Sequence, residues 1–312
     1  MHRAVAMVAA SLFLSVLPAS EALSDATKEP VRPVRFVTVN LYHGGAFSGL
    51  LGDARHLDRR LEMVAEELRG LDPDVIGLQE ASEGRQRGNV AARLAAQLGF
   101  HHVYVAANPR PFKNDRANRV IASLLDFSEG PAILTRFPIV AWESIDLPRC
   151  GRSADSRLLL HATLQTPWGG LEAFSTHTIG DPCQTGRVAQ LVRNRRGPLP
   201  SVLMGDFNSG EDSVAIAAFI RNGSFIDAFR TVNPTLPGPT VWQPIDAPTS
   251  MVRRRVDYLF MLPGEEYAGK VLSSRVVLNM PQRLPDGGAL WPSDHYGVLA
   301  ELDVFPSNPQ PR

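Results

Sequence analysis

The run Ser201-Val202-Leu203-Met204-Gly205-Asp206-Phe207-Asn208-Ser209 holds the residues best suited to chemistry. An apolar stretch that breaks at a glycine and then offers an aspartate and an asparagine reads as a buried strand ending in a polar edge. Residues i and i+2 of an extended chain point the same way, so Asp206 and Asn208 can face one target while Phe207 turns back into the core. A phosphate oxygen, an attacking water or a metal ion suits that pair. Turn chemistry alone also places Asp and Asn after strands. The functional reading gains weight because other apolar strands stop beside the same kind of residue: Asn40, Glu80, His177, Asp257 and the pair Asp294-His295.

The elements that must position these residues follow from periodicity. Residues 35–40 alternate apolar and polar and predict a first strand. Over residues 56–71, Leu57, Leu61, Val64, Ala65 and Leu68 recur at helical spacing, Asp72-Pro73-Asp74 stops that helix, and residues 75–80 predict a strand ending at Glu80. A second helix is predicted over 89–98, with strands at 101–105, around 120–125, at 132–134 and at 140–147. Residues 157–165 and 171–176 flank Thr166-Pro167-Trp168-Gly169-Gly170 as a hairpin that ends in His177. A helix over 187–193 leads to the Asp206 strand, and another covers 213–220. A proline-rich surface region spans 233–248, and strands at 256–260, 271–278 and 296–304 close the chain. Strands outnumber helices, come in two successive groups and show no composition break between them. The expected fold class is α+β: one domain in which two packed mixed β-sheets are flanked by helices as a four-layer α/β/β/α sandwich.

The chain has 312 residues, 44% of them hydrophobic, which is the composition of an ordinary globular protein. Lys+Arg and Asp+Glu both number 32, so no global field draws it to nucleic acid or anionic lipid, and any preference for a polyanion must come from local patches. Met1-His2-Arg3, an apolar run over residues 4–17 and the small residues of Pro18-Ala19-Ser20-Glu21-Ala22 have the order of a secretory signal peptide. That run is shorter than the ~20 residues a spanning helix needs, and no later stretch is long enough, so no transmembrane segment is expected. Residues 1–22 are set apart as signal peptide, 23–33 as leader, 34–304 as the folded domain and 305–312 as a tail, in a secreted or periplasmic protein. An oxidising compartment lets Cys150 and Cys183 pair. Both lie in loop-like stretches rich in Pro, Gly and charge, and a disulfide fits two cysteines better than a metal site, which needs more soft ligands.

Taken in order, Thr-Val-Asn at Asn40, Gln-Glu at Glu80, Ser-Thr-His at His177, Gly-Asp-Phe-Asn at Asp206 and Asn208, Val-Asp-Tyr at Asp257 and Ser-Asp-His at Asp294 and His295 resemble the motifs of the endonuclease/exonuclease/phosphatase superfamily, with its DNase I-like fold. The resemblance spans roughly residues 34–302. It implies His177, Asp206, Asn208, Asp257 and His295 as catalytic residues and Asn40, Glu80 and Asp294 as ligands of a divalent ion. Hard oxygen ligands suit Mg2+, with Mn2+ or Ca2+ as alternatives, over zinc. The resemblance makes His295, oriented by Asp257, the base, with Asp206 as its rival. A carboxylate beside a histidine raises the imidazole's pKa, which works against a base near neutral pH and favours an imidazolium that holds phosphate. His177 would donate to the phosphate or protonate the leaving group, and Asn208 would hold an oxygen. Thr178 stands where family members commonly carry Leu, and the change is expected to alter packing. His43, His56, His101, His102 and His161 read as structural.

The implied activity is metal-dependent phosphodiester hydrolysis with nucleic acid as the first substrate class. Arg253-Arg254-Arg255, directly before the Asp257 strand, reads equally as a solvated charge run and as a clamp for substrate phosphate. Further basic residues cluster at Arg85 and Arg87 and at Arg110, Lys113, Arg116 and Arg119. A lipid phosphodiesterase of the sphingomyelinase type, taking a phospholipid headgroup, needs an exposed aromatic hairpin, for which Trp168 and Trp242 are the candidates. A silent binding module on the same fold needs a broken motif, and none is broken. A monomer is expected. Thiol titration of the denatured, unreduced protein should find no free thiol; recovery of both of the chain's 2 cysteines as thiols would exclude the disulfide.

Overall fold

Two short parallel pairings, one at the centre of each sheet, set the architecture. The structure is a computed structural model that describes residues 32–44, 54–107, 114–150 and 156–306. In chain order it runs through β1 (Val34–Asn40), α1 (Leu57–Leu71), β2 (Val75–Gly84), β3 (Gly88–Asn89), α2 (Val90–Leu98), β4 (His101–Tyr104), α3 (Asp115–Leu125) and β5 (Ser128–Thr135). There follow β6 (Ile139–Asp146), β7 (Leu158–Thr166), β8 (Gly169–His177), α4 (Pro182–Arg193), β9 (Ser201–Asp206), α5 (Val214–Gly223), β10 (Ile226–Asp227) and α6 (Ala228–Val232). The last elements are β11 (Asp257–Leu262), β12 (Lys270–Val277), β13 (Gln282–Arg283), β14 (Ala289–Leu290) and β15 (Gly297–Asp303).

The first sheet has the order β12-β15-β1-β2-β5-β4, with β3 paired to β2, and the second has the order β10-β11-β9-β8-β7-β6. Strands β1 and β2 are parallel, as are β8 and β9, while their outer neighbours are antiparallel, so both sheets are mixed. The sheets meet closely: a Cβ on Gly77 of β2 would come within 2.6 Å of the Met204 Cβ on β9, a contact that glycine alone permits. Leu57, Leu61, Val64, Ala65 and Leu68 of α1 join Val90, Leu94 and Ala95 of α2 on the outside of the first sheet, against Val37, Val39, Ile76 and Leu78. Val188 and Val192 of α4 and Ile216 and Phe219 of α5 cover the second, against Phe174, Leu203 and Phe260. The result is the predicted α/β/β/α sandwich.

Two local expectations are corrected. Residues 120–125, read as a strand from their apolar and β-branched content, belong to α3. Asn114 caps that helix, its side chain accepting from the Arg116 and Ala117 N–H groups at 2.9 and 3.3 Å, and Asp126 ends it at φ 49. Cys183, read as a loop residue, lies in the first turn of α4, which begins at Pro182 rather than near residue 187. Asp181 caps it by accepting from the Cys183 N–H at 2.8 Å, and proline's fixed φ suits a first helical turn. Cys150 and Cys183 form a disulfide with Cα atoms 6.1 Å apart.

The signal peptide and most of the leader, residues 1–31, lie outside the described residues. Arg32, at the end of the leader segment, bonds Asp74 at 2.9 Å, and Phe305, just past β15, is buried and stacks on Trp168 with ring centroids 4.1 Å apart. Among the described residues no helix is long and apolar enough to cross a membrane.

Arg255 serves the fold. Its guanidinium grips the Asp227 carboxylate at 2.7 and 3.0 Å and Glu211 at 2.6 Å, with the Arg255 and Asp227 side chains 3% and 5% exposed. Removing one partner of a buried pair leaves the other charge uncompensated. Arg255→Met should therefore lower the unfolding free energy by about 3–5 kcal/mol in urea denaturation, and an unchanged midpoint would show that the pair does not hold the fold.

Candidate active site

Strand register brings three of the expected residues into one row. His177 pairs with Asp206 across the parallel β8–β9 contact, and Asp257 pairs with Asp206 across the antiparallel β9–β11 contact. A Cβ on Gly205 would sit 2.6 Å from the Thr176 carbonyl oxygen, so glycine is what lets β9 run this close to β8. Phe207 turns into the core as expected and meets Phe219, Tyr258 and Phe260 edge to face. Asn208 joins Asp206 by a turn rather than by strand alternation. β9 ends at Asp206, Asn208 adopts φ 51, and its N–H donates to Asp206 Oδ1 at 2.8 Å. Thr178 braces that turn: its hydroxyl donates to the Phe207 carbonyl at 2.9 Å, and its own carbonyl accepts from Asn208 Nδ2 at 2.8 Å. The departure from Leu thus contributes a hydrogen bond beside the chemistry.

The first sheet supplies the opposite wall. Asn40 ends β1, and Glu80 lies where the β2–β5 register shifts, at φ 52. The Asn40 amide Nδ2 donates to Glu80 Oε1 at 3.2 Å and, across the two sheets, to Asp206 Oδ2 at 3.1 Å. The Ser293 hydroxyl donates to the Asn40 carbonyl at 2.6 Å, which draws Asp294 and His295 into the same place. His295 Nδ1 is 3.0 Å from Asp257 Oδ2, and its Nε2 is 3.7 Å from Asp206 Oδ2. Asn40, Glu80, His177, Asp206, Asn208, Asp257, Asp294 and His295 therefore converge. Of the arginine run, Arg253 and Arg254 are exposed, and Val241 pairs with both Arg254 and His295, one strand from the site. Arg255 is buried away in its pair with Asp227.

Burial, and then the Asp257 charge, lift the Asp206 carboxyl to about 7 against the pull of His295 and of the Asn208 and Asn40 hydrogen bonds. Burial raises Asp294 to about 6, with His295 opposing and the Glu80 charge adding to the rise. Burial opposes a charged His295, yet Asp257, Asp206 and Asp294 together raise it to about 10, so it is an imidazolium at neutral pH. Burial also works against a charged Glu80, but His43 and the Asn40 hydrogen bond hold its pKa low. Burial, followed by the Arg157 charge, keeps His177 well below the ordinary histidine value.

Three residues escaped the sequence reading. His43, taken as structural, donates its N–H to Glu80 Oε2 at 3.2 Å, and its ring Nε2 stands 3.2 Å from Glu80 and 3.5 Å from Glu129. Its position just beyond Asn40 is the signal that could have found it. Arg157 places Nη1 2.8 Å from His177 Nδ1 and 3.8 Å from Glu129. Nothing in the sequence marks it. Arg60 donates to the carbonyls of Leu41, Tyr42 and Pro292 at 2.8, 2.9 and 3.2 Å, tying the loop after β1 to the loop before Asp294. A charged residue on the apolar stripe of α1 was visible, and its burial is the consequence.

The sequence matches the profile of the Endonuclease/Exonuclease/phosphatase family over residues 37–295. The chain belongs to this family. An endonuclease/exonuclease/phosphatase from Beutenbergia cavernae DSM 12333 is 25% identical with a TM-score of 0.64, covering 89% of this chain and 73% of that one. The mannosyl-6-phosphatase Bt3783 of Bacteroides thetaiotaomicron VPI-5482 is 20% identical with a TM-score of 0.63, over 86% of this chain and 99% of that one. The human nocturnin catalytic domain is 19% identical with a TM-score of 0.61, over 88% and 94%. The last two likenesses show the fold alone. No curated protein matches the chain.

Two groups at this family site could hold a cation, Asp206 with Asp257 and His295, and His43 with Glu80 and Glu129, each with donor atoms within 4.8 Å of one another. A third set, Cys150, Asp181 and Cys183, is closed to metal because its sulfurs are joined. The residues fit a hard divalent ion. Asp257 Oδ1 is buried with no hydrogen-bond partner among the described residues, and Asp206 and Asp294 are both pushed above the usual carboxylate range. Such a site is short of positive charge, and its oxygen donors suit Mg2+, Mn2+ or Ca2+. Glu80→Gln keeps the shape and removes one charge, so it should raise the Mg2+ concentration needed for half-saturation in calorimetric titration. Unchanged affinity would remove Glu80 from the cation site.

Proposed function

We propose that this protein hydrolyses phosphodiester bonds of nucleic acid with the help of a divalent metal ion. The observation that carries the hydrolysis is the in-register row His177, Asp206 and Asp257, with His295 held between the two carboxylates. Asn40, Glu80 and Asp294 are the residues that would hold the ion, which when bound supplies charge to the nonbridging and leaving oxygens. Asp206, with a pKa lifted to about 7, is suited to take a proton from the attacking water near neutral pH. His295, raised to about 10, keeps its proton and is suited to hold phosphate as an imidazolium. This reading gives the base to Asp206 rather than to His295. His177 Nε2 and Asn208 Nδ2 lie 2.9 Å apart and can share one phosphate oxygen.

Nucleic acid is favoured over a lipid by what surrounds the site. Arg253 and Arg254 are exposed beside the Val241 segment that pairs with His295, where they can meet phosphates flanking the scissile one. Arg116 and Arg119 are exposed on α3, whereas Arg85 pairs with Asp126 and Arg87 is buried. Trp168 is packed on Phe305, which leaves Trp242 as the single exposed aromatic of the two lipid candidates. The proposal includes export, on the basic, apolar and small-residue order of residues 1–22 and on the disulfide.

Purified protein assayed with Mg2+ and with chelator on plasmid DNA, RNA, sphingomyelin and inositol phosphates should cleave a nucleic acid, and only with metal. Asp206→Asn and His295→Ala should each lower kcat by about 10² to 10⁴. Near wild-type turnover in both variants, with chelator harmless, would sink the catalytic reading. Cleavage of sphingomyelin with DNA and RNA untouched would replace the substrate class and keep the chemistry.

A further inference from the structure

His177 lies between hydrogen-bond donors. On one side Arg157 Nη1 is 2.8 Å from Nδ1, and on the other Asn208 Nδ2 is 2.9 Å from Nε2. A neutral imidazole has one donor nitrogen and one acceptor nitrogen, and an imidazolium has no acceptor. Both neighbours cannot be satisfied at once. Guanidinium is always charged and offers donors alone, so the Arg157 contact is a hydrogen bond only if Nδ1 is the acceptor. Turning the Asn208 amide over does not relieve the other side, because its oxygen would then face the Thr178 carbonyl, which now accepts from Nδ2 at 2.8 Å. The proton of the neutral ring must therefore sit on Nε2, directed at Asn208 and at Asp206 Oδ2, 3.4 Å away.

We propose that Arg157 is a positioning residue that fixes His177 as the Nε2–H tautomer and so aims a neutral N–H donor at the reacting phosphate. The inference rests on the reading of this site as a phosphoester hydrolase for its consequence, though not for its geometry. Two N–H donors, from His177 and Asn208, then face each other with no acceptor between them, and an anionic oxygen entering there accepts from both. In that state His177 has no proton to give up to a leaving group without leaving its ring anionic. Its work is to hold charge rather than to act as a general acid, which removes one of the two roles open to it in the sequence.

The test is histidine ring-nitrogen NMR on isotope-labelled protein, with the His177 signals assigned by their loss in His177→Gln. Wild type should show His177 protonated at Nε2 and bare at Nδ1, and a proton on Nδ1 would overturn the proposal without any variant being made. Arg157→Met should lose that fixed pattern, and kcat on the substrate found above should fall roughly 10- to 100-fold with a smaller change in KM. Arg157→Lys, which again offers only donors, should restore the Nε2–H tautomer and most of kcat. An Arg157→Met protein that keeps the wild-type tautomer while losing activity would mean that Arg157 acts on the substrate directly, and the proposal would fail. If wild type turns over no phosphoester yet shows the Nε2–H tautomer, the functional reading fails and the positioning role stands.

Discussion

The amide of Asn40 sits where the two sheets part, and it donates to a carboxylate on each of them, Glu80 at 3.2 Å and Asp206 at 3.1 Å. Deeper between the sheets the contact is apolar and close, as at Gly77 and Met204. Towards the strand ends it becomes a chain of buried hydrogen bonds, from Thr38 to Gln79 at 3.2 Å and from Gln79 to Ser175 at 3.2 Å. A polar group buried without a partner costs far more than a made hydrogen bond returns, so each of these contacts fixes the spacing of the two walls. Asn40 does this without adding charge. An aspartate there would place a third acid beside two carboxylates, and a lysine would neutralise them.

Charge, in consequence, is left unbalanced on purpose at one point. His295 is raised by Asp257, Asp206 and Asp294, while Asp206 and Asp294 are themselves pushed up by burial. Neighbouring groups whose environments drive their pKa values apart are how a site keeps one proton donor and one proton acceptor available at the same pH. His177, between Arg157 and Asn208, is excluded from that exchange and stays neutral. The carboxylates, the imidazolium and the neutral donors thus occupy separate positions around one cleft.

Most of the frame was legible because it is written in periodicity. The stripe Leu57, Leu61, Val64, Ala65 and Leu68 gave α1, and the apolar run before Asp206 gave β9. The strand-end residues were legible because their order matches a known set of motifs. What was illegible depends on partners far away in sequence. Arg253, Arg254 and Arg255 are identical as letters, and only the burial of Asp227 decides that the third belongs to the fold. Arg157 becomes meaningful through His177 on the neighbouring strand, and His43 through Glu80 and Glu129. The missed helix over 120–125 is a different failure: β-branched content outweighed a capping asparagine six residues upstream of Val120.

The place of β15 has a consequence for how the protein is made. It inserts between β12 and β1, pairing Val34 with Leu302 and Thr38 with Val298, and the Asp294-His295 segment lies just before it. β1, the earliest strand described, must wait for the latest before its free edge is filled. Contacts that span so much chain form slowly, because loop closure has to precede any reward from pairing. A chain still emerging from its ribosome therefore carries Glu80, His177 and Asp206 but not the histidine that completes them. Activity begins as a single late event, when synthesis is nearly over, rather than growing with the length of the nascent polypeptide.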